Sequence, residues 1–301
     1  MAGTNQYTNY PVQFQGAGTW NLAQLSNCSY SDGASIDAVV PAGLHRADAY
    51  IVQSQAPTLS IETTDLTSVL TNLTNVQTGY PCSSGGEFFW QQRSSGGLFE
   101  SGSAHLSLSS ALGHLIPDSI SVSGVGPASF NLTYHDLYDG STAMSVPAAA
   151  AALGATTPAF VSQFYRGAVT VNGTAIDNVT DVEVGFGLSV TKEVYGGDFA
   201  PRTLAVVAVV PVIRVTCADL AEFPSKVTNS YGATFTNLIV YFRKGASGGL
   251  RGGSGTALSV TATSGHMQAT DIRGAGSGNS GVTIEFKPTV NLSFSLSATH
   301  P

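Results

Sequence analysis

The sequence predicts a mainly β protein made of two tandem antiparallel β domains, each a sandwich or barrel with one short flanking helix. Three observations predict it. Short segments that alternate with period two, or that collect β-branched and aromatic residues, recur along the chain between Gly, Pro, Asn and Asp clusters. A length of 301 residues corresponds to about two domains of ~150 residues. Above all, the chain contains itself twice. Ser95-Gly96-Gly97-Leu98 returns 152 residues later as Ser247-Gly248-Gly249-Leu250, and Leu106-Ser107, Gly113-His114 and Ile120 return as Leu258-Ser259, Gly265-His266 and Ile272. Pro57 with Asp65-Leu66 matches Pro211 with Asp219-Leu220 at an offset of 154, and Phe14-Gln15-Gly16-Ala17 resembles Tyr165-Arg166-Gly167-Ala168 at 151. Such a period is domain-sized and far too long for a solenoid unit.

In chain order, residues 1–13 read as a polar N-terminal arm, and residues 14–145 as a first β domain. Asp48 to Val52, Leu59 to Thr63, Ala104 to Ser109 and Ala128 to Tyr134 have strand composition or alternation. A helix is expected from Thr64 or Asp65 to about Asn75. Both starting residues are good N-caps, and Leu66, Val69, Leu70 and Leu73 fall on one helical face. Asp139-Gly140 signals a tight turn. Residues 146–164, alanine-rich around Pro147, read as a linker with one or two helical turns.

Residues 165–301 read as the second β domain with a C-terminal strand. Val179 to Val194 alternates for too long to be one strand, so a long hairpin or a bent strand is expected, as is a strand over Leu204 to Cys217 bent at Pro211. Asp219 caps a shorter helix ending before Pro224. Strands follow at Leu238 to Phe242, Ala257 to Thr263 and Val282 to Phe286, and an extra strand at Val290 to Ser297. The glycine-rich tracts Gly245 to Gly255 and Gly274 to Gly281 read as loops, the first matching Arg93 to Gly102 of the earlier copy.

Composition bounds the function. Hydrophobic residues reach 43%, ample for a core in each half, while charged residues are only 10% against ~25% in typical soluble domains. Mean hydropathy is +0.14. So few charges suit a subunit whose surface neighbours cover. The net charge of −7 is uneven: residues 1–150 hold ten acids and two bases, residues 151–301 nine acids and ten bases. Head-to-tail contact between the halves would use that difference for specificity. No basic stripe supports sequence-specific nucleic-acid binding. Cys28, Cys82 and Cys217 form no CxxC pair and no disulfide framework, and read as buried or loop thiols. The N-terminal residues have no basic region followed by an apolar run, so no signal peptide is read. Leu204 to Val215, interrupted by Pro211, is too short to span a bilayer as a helix.

No motif carries chemistry. Gly276-Ser277-Gly278-Asn279-Ser280-Gly281 has the spacing of a dinucleotide loop, but Val282 to Phe286 after it is a strand where phosphate binding needs a helix N-terminus. Gly245-Ala246-Ser247-Gly248-Gly249 has the spacing of a nucleophile elbow, but Leu250-Arg251-Gly252-Gly253 makes a poor helix start. Ser189-Val190-Thr191-Lys192 lies in an alternating strand without companion motifs. His105, His114 and His266 have no acid or thiol at ligand spacing, and Asp136, Asp139 and Gly140 lack the other ligands of a calcium loop. No catalytic, cofactor or metal residues are assigned, and an enzyme is not expected.

The second copy resembles the tail tube proteins of long-tailed bacteriophages. The resemblance is carried by Tyr165-Arg166-Gly167-Ala168-Val169-Thr170-Val171-Asn172-Gly173, then Val179 to Val194, then Arg202 to Asp219: an opening hairpin, a long alternating strand pair, a bent strand and a short helix. It covers about 165–290 directly, and 14–140 through the duplication. It implies two tandem tail-tube-like domains in a structural virion protein, made in the host cytoplasm. That protein polymerises as stacked homotrimer rings of pseudo-sixfold symmetry, and the resulting tube conducts DNA without sequence-specific binding. The implied partners are other copies of the chain and the tape measure, tip and terminator proteins of the tail, with no membrane and no cofactor. Val182, Glu183 and Glu193 become candidates for lumen or ring contacts. Gly96, Gly97, Gly248, Gly249 and Gly252, with residues 1–13, become candidates for contacts between rings. The competing expectations are a carbohydrate-binding or adhesive β module using Trp20 and Trp90, or another virion part such as a capsid decoration or baseplate protein.

Overall fold

The structure, a computed structural model, describes residues 6–16, 18–40, 42, 46–47, 49–73, 76–93, 105–141, 147–150, 153, 162–220, 232–245, 256–273 and 281–299. The chain is mainly β. Its first half contains β1 (Gln6–Asn9), β2 (Val12–Gln15), β3 (Thr19–Leu22), β4 (Leu25–Ser31), β5 (Ser35–Val39), β6 (Ala49–Ser54), β7 (Thr58–Thr63), the helix α1 (Leu66–Asn72), β8 (Tyr80–Cys82), β9 (Gly86–Arg93), β10 (His105–Ser110), β11 (Gly113–Ser123), β12 (Ser129–Asp136) and β13 (Ala148–Ala150). The second contains β14 (Phe164–Val171), β15 (Thr174–Ile176), β16 (Val179–Gly185), β17 (Leu188–Glu193), β18 (Thr203–Val209), β19 (Val212–Cys217), β20 (Ala233–Phe235), β21 (Leu238–Lys244), β22 (Thr256–Ala262), β23 (Gly265–Arg273), β24 (Gly281–Pro288) and β25 (Ser293–Thr299).

The strand pairing of one half repeats in the other. One sheet runs β13-β10-β9-β2-β3, and its counterpart runs β25-β22-β21-β14-β15. The other layer runs β4-β7-β12-β11 in the first half and β16-β19-β24-β23 in the second, with β8 on β11 and β20 on β23. These two four-strand runs join edge to edge through β11 and β16, so one large sheet crosses both halves. Even the irregularities recur. A register shift between Leu25 and Asn27 returns between Val179 and Asp181, one between Ser35 and Ile36 between Ser189 and Val190, and one between Pro117 and Ser119 between Ala269 and Asp271. Composition cannot place a bulge; a bulge is a specific backbone feature that re-aims a strand.

Four readings of the sequence change. Residues 6–13 are not an arm: β1 and β2 hydrogen-bond to β9 as β14 does to β21. That pairing places Phe14 opposite Gly86 and Val171 opposite Leu238, so Phe14-Gln15-Gly16 matches Val171-Asn172-Gly173, an offset of 157 rather than 151. Ala148–Ala150 is a strand on β10, not helical linker, because the edge of β10 needs a partner and helix propensity is a weak prior. The strand at the C-terminus is no addition, since β25 lies on β22 as β13 lies on β10. The longest strand, β11, had no sequence signal because Pro117 interrupts it; the proline stands at the bulge, where the ladder needs no N–H.

Asp65 caps α1 as expected, its Oδ1 accepting from the Ser68 N–H at 3.0 Å, while Leu66 and Val69 turn into the core. The helix expected after Asp219 lies in 221–231, outside the described residues. Core side chains from the two layers meet directly: Phe14 and Phe88 lie 6.0 and 5.0 Å, ring to ring, from Tyr134. In the other half Phe186 lies 5.8 Å from Phe294. Among the described residues no helix is long and apolar enough to cross a membrane.

The predicted bent strands are breaks between the large sheet and two separate hairpins, β5–β6 and β17–β18. Each break has a glycine in the left-handed region facing the residue before a proline. Gly33 (φ +57°) sits against the Ala56 carbonyl, before Pro57; Gly187 (φ +60°) sits against the Val210 carbonyl, before Pro211. A methyl group on Gly187 would lie 1.9 Å from that oxygen. Gly187→Ala should therefore cost at least the ~1–2 kcal/mol of a left-handed non-glycine residue and lower the thermal midpoint by several degrees. A midpoint equal to wild type in a calorimetric scan would show that the break tolerates a side chain.

Candidate assembly surface

No strand of either hairpin holds a buried residue. Every residue of β5 and β6 is exposed, so both of their faces meet solvent. Yet they are apolar: Ile36 pairs across with Val52 and Ala38 with Tyr50, and Tyr50 is 73% exposed. At the same register in the other copy, Val190 pairs with Val206 and Lys192 with Leu204, and Val207 and Val210 stand open to solvent. Among the described residues, eleven of the fifteen exposed large hydrophobics (Tyr7, Val125, Ile272 and Val290 are the others) lie on these hairpins or their flanks. Contiguous exposed apolar surface marks an interaction site.

The candidate contact residues separate. Val182 is buried in the core, because its face of β16 is shared with Val184. Glu183 points the other way and is open to solvent. It stands opposite Arg214, whose guanidinium donates to Glu183 at 3.1 Å and to Glu285 at 3.0 Å, while Lys287 reaches Glu285 at 3.1 Å. Burial pushes the Glu285 carboxyl up, but hydrogen bonds from Lys287 and Arg214 outweigh it and hold it below its ordinary value. By register, Ser29, Ser60 and Thr133 occupy the matching positions of the first copy, so this ion row belongs to the second copy alone. Glu193 is on the second hairpin and accepts from the Thr203 hydroxyl at 3.2 Å. Gly96, Gly97, Gly248, Gly249 and Gly252 lie outside the described residues.

Buried polar groups are concentrated in the first copy, where the sequence reading missed them. Ser110, Tyr134 and Asp136 are all buried; the Ser110 hydroxyl lies 2.7 Å from the Tyr134 hydroxyl and 2.5 Å from the Asp136 carboxylate. The signal was present in β12, whose alternation puts Asp136 on the same face as Phe130, Leu132 and Tyr134. The matching residues of the second copy are Ala262, Phe286 and Pro288, an apolar solution to the same packing problem. A cluster closed to solvent satisfies its own hydrogen bonds and orders the core.

The histidines do not converge. His105 is buried and its Nδ1 accepts from the Gln92 N–H at 3.3 Å; His266 is exposed. His114 and His135 face each other across β11 and β12. Burial, with Lys192 and His114 nearby, pushes His135 down to about 4, and burial also lowers His114, whose Nε2 lies 2.8 Å from the Thr78 carbonyl. Among the described residues no group of three or more His, Cys, Asp or Glu could hold a metal ion. Cys28, Cys82 and Cys217 are free and buried, and burial pushes the Cys28 and Cys82 thiols up to about 12. Gly281, last of the GxGxxG spacing, opens the strand β24, and Ser189 to Lys192 lie within β17. Trp20 packs in the core 4.8 Å from Phe14, ring to ring, and the half-buried Trp90 donates from its indole to the Cys28 carbonyl at 3.3 Å.

No protein-family model matches this chain, and no curated protein matches it.

The facing histidines set a pH dependence. Both imidazoles have folded pKa values below the unfolded value of ~6.5, so the unfolded chain binds more protons in that window and stability falls as pH falls from ~6.5 towards 4. The thermal midpoint should already drop between pH ~6.5 and ~5.5, above the ordinary carboxylate range of ~4, and His135→Gln should flatten that part of the drop. An equally steep profile in the variant would move the effect elsewhere.

Proposed function

We propose that this chain is a structural virion protein that polymerises as stacked rings into a bacteriophage tail tube, through which DNA passes to the host. The observation that carries the reading is the pair of equivalent apolar hairpins, exposed on a chain whose two halves repeat the same strand order. Burying surface of this kind stabilises by ~25 cal/mol per Å², and repeated units joined head to tail bury it on every copy at once. In this reading three chains place six equivalent hairpins around one axis and make a trimeric ring with pseudo-sixfold symmetry. Glu193 and the neighbouring hairpin positions line or approach the lumen, and Glu183 lies on the outer face of the adjoining sheet. The net charge of −7 supplies no attraction for phosphate, so DNA slides rather than binds. The tape measure, tip and terminator proteins of the tail are the proposed further partners, and no catalytic step is proposed.

Negative-stain electron microscopy of the purified chain tests the reading. Rings or tubes with threefold or pseudo-sixfold averages are expected. Tyr50→Ser combined with Ile51→Asn changes only exposed positions, so it should preserve the circular dichroism spectrum while abolishing rings. A variant that still assembles would remove the hairpins from the interface, and a wild-type chain that stays dispersed at all concentrations and binds glycans saturably would favour an adhesive module.

A further inference from the structure

The chain already contains one junction between copies, and its mate is unmade. On one edge, β11 carries β12. On the other it carries β8 at Gly113–Leu115 and then β16, with Ser119 opposite Gly185, Ile120 opposite Val184 and Ser121 opposite Glu183. The repeat of β11 is β23, which carries β24 on one edge and β20 at Gly265–Met267 on the other. Beyond Met267 that second edge has no strand on it among the described residues. The repeat of β16 is β4, which ends the large sheet with β7 as its only ladder partner among the described residues. Burial registers the difference. Ile120 is fully buried at the made junction, whereas its mate Ile272 is 56% exposed.

We infer that β23 of one molecule pairs antiparallel with β4 of a second copy, in the register that β11 and β16 use within the chain. Transferring that register through the offsets of 152 and 154 puts Asp271 opposite Ser31, Ile272 opposite Tyr30 and Arg273 opposite Ser29 of the neighbour. Ile272 then packs on Tyr30 as Ile120 packs on Val184. The Trp90 indole already holds the Cys28 carbonyl, so the new ladder starts at Ser29. Every copy offers one β23 and one β4, so the pairing is head to tail and leaves neither of these two edges open once the ring closes. The register follows from the duplication; closure at three chains rests on the ring reading above.

Engineered disulfides test it, because directly opposite residues in an antiparallel ladder lie ~4.5–5.5 Å apart between Cα atoms, within disulfide reach. Ser31→Cys with Asp271→Cys, assembled and then oxidised, should give covalent dimers and a closed trimer as the largest species on a non-reducing gel. A mixture of the two single variants should stop at dimers, and wild type, with its three buried thiols, should give none. Ser31→Cys with Arg273→Cys, two residues out of register, should link at least tenfold less. Rings seen by microscopy without the in-register link would overturn this pairing and leave the tube reading standing. Neither rings nor links would overturn both, and a covalent ladder running past three chains would uphold the register and overturn closure. Ile272→Lys serves as the check on folding. The position is exposed in the single chain, so its thermal midpoint should stay at the wild-type value while self-association weakens at least tenfold; association at wild-type strength would sink the proposal.

Discussion

The edge-to-edge pairing of β11 with β16 is the contact on which the rest of the molecule depends. It turns two repeats into one continuous sheet and buries Ile120, Val122, Val182 and Val184 on the core side. Each buried aliphatic side chain there contributes ~1.5–3 kcal/mol. On the opposite face Ser123 donates to Asp181 across the same junction. Because β16 continues through Phe186 to Gly187 and into the second hairpin, the junction also sets where that hairpin leaves the sheet. The Phe186 N–H donates to the Asp118 carbonyl at 3.0 Å, and its ring stacks on Phe130 at 5.4 Å, so the bend is tied to both copies.

The two halves share a backbone pattern and differ in chemistry. Bulges, glycine bends and strand order coincide, while the side chains filling equivalent places do not. Ser110, Tyr134 and Asp136 are matched by Ala262, Phe286 and Pro288, and Ser29, Ser60 and Thr133 are matched by Glu183, Arg214 and Glu285. The backbone is constrained at every rung of the ladder, since a slip of one residue turns all side chains to the wrong face. A single core or surface cluster can change whenever its own hydrogen bonds and volume are satisfied. The ion row around Arg214 belongs to this second kind of change: it places two acids and two bases on the second copy, where the first copy has neutral side chains, without altering the net charge.

The hairpins show the same logic from the solvent side. Their glycine and proline bends are under tight steric control, so their position on the fold is specified. Their exposed faces are not under internal control, because nothing among the described residues covers them. Apolar residues persist there in both copies, which is why those faces support an assembly reading rather than a catalytic one.

Much of this was legible in the residues. Alternation or strand composition identified β12, β16, β19, β22 and β24, Asp65 announced the start of α1, and Pro211 marked one bend, because these signals act within a few residues of themselves. The duplication was legible too, but its first block was aligned on Tyr165-Arg166-Gly167-Ala168, where the similarity of a few letters outweighed hydrogen-bond register. What only the tertiary structure decided lies in contacts distant along the chain. Ala148–Ala150 became a strand because β10 had an open edge, residues 6–13 joined a sheet because β9 lay beside them, and Val182 went into the core while Glu183 paired with Arg214. Short-range chemistry determines what a segment is able to form; the partner across the ladder, tens of residues away, decides which face is buried and which edge stays free.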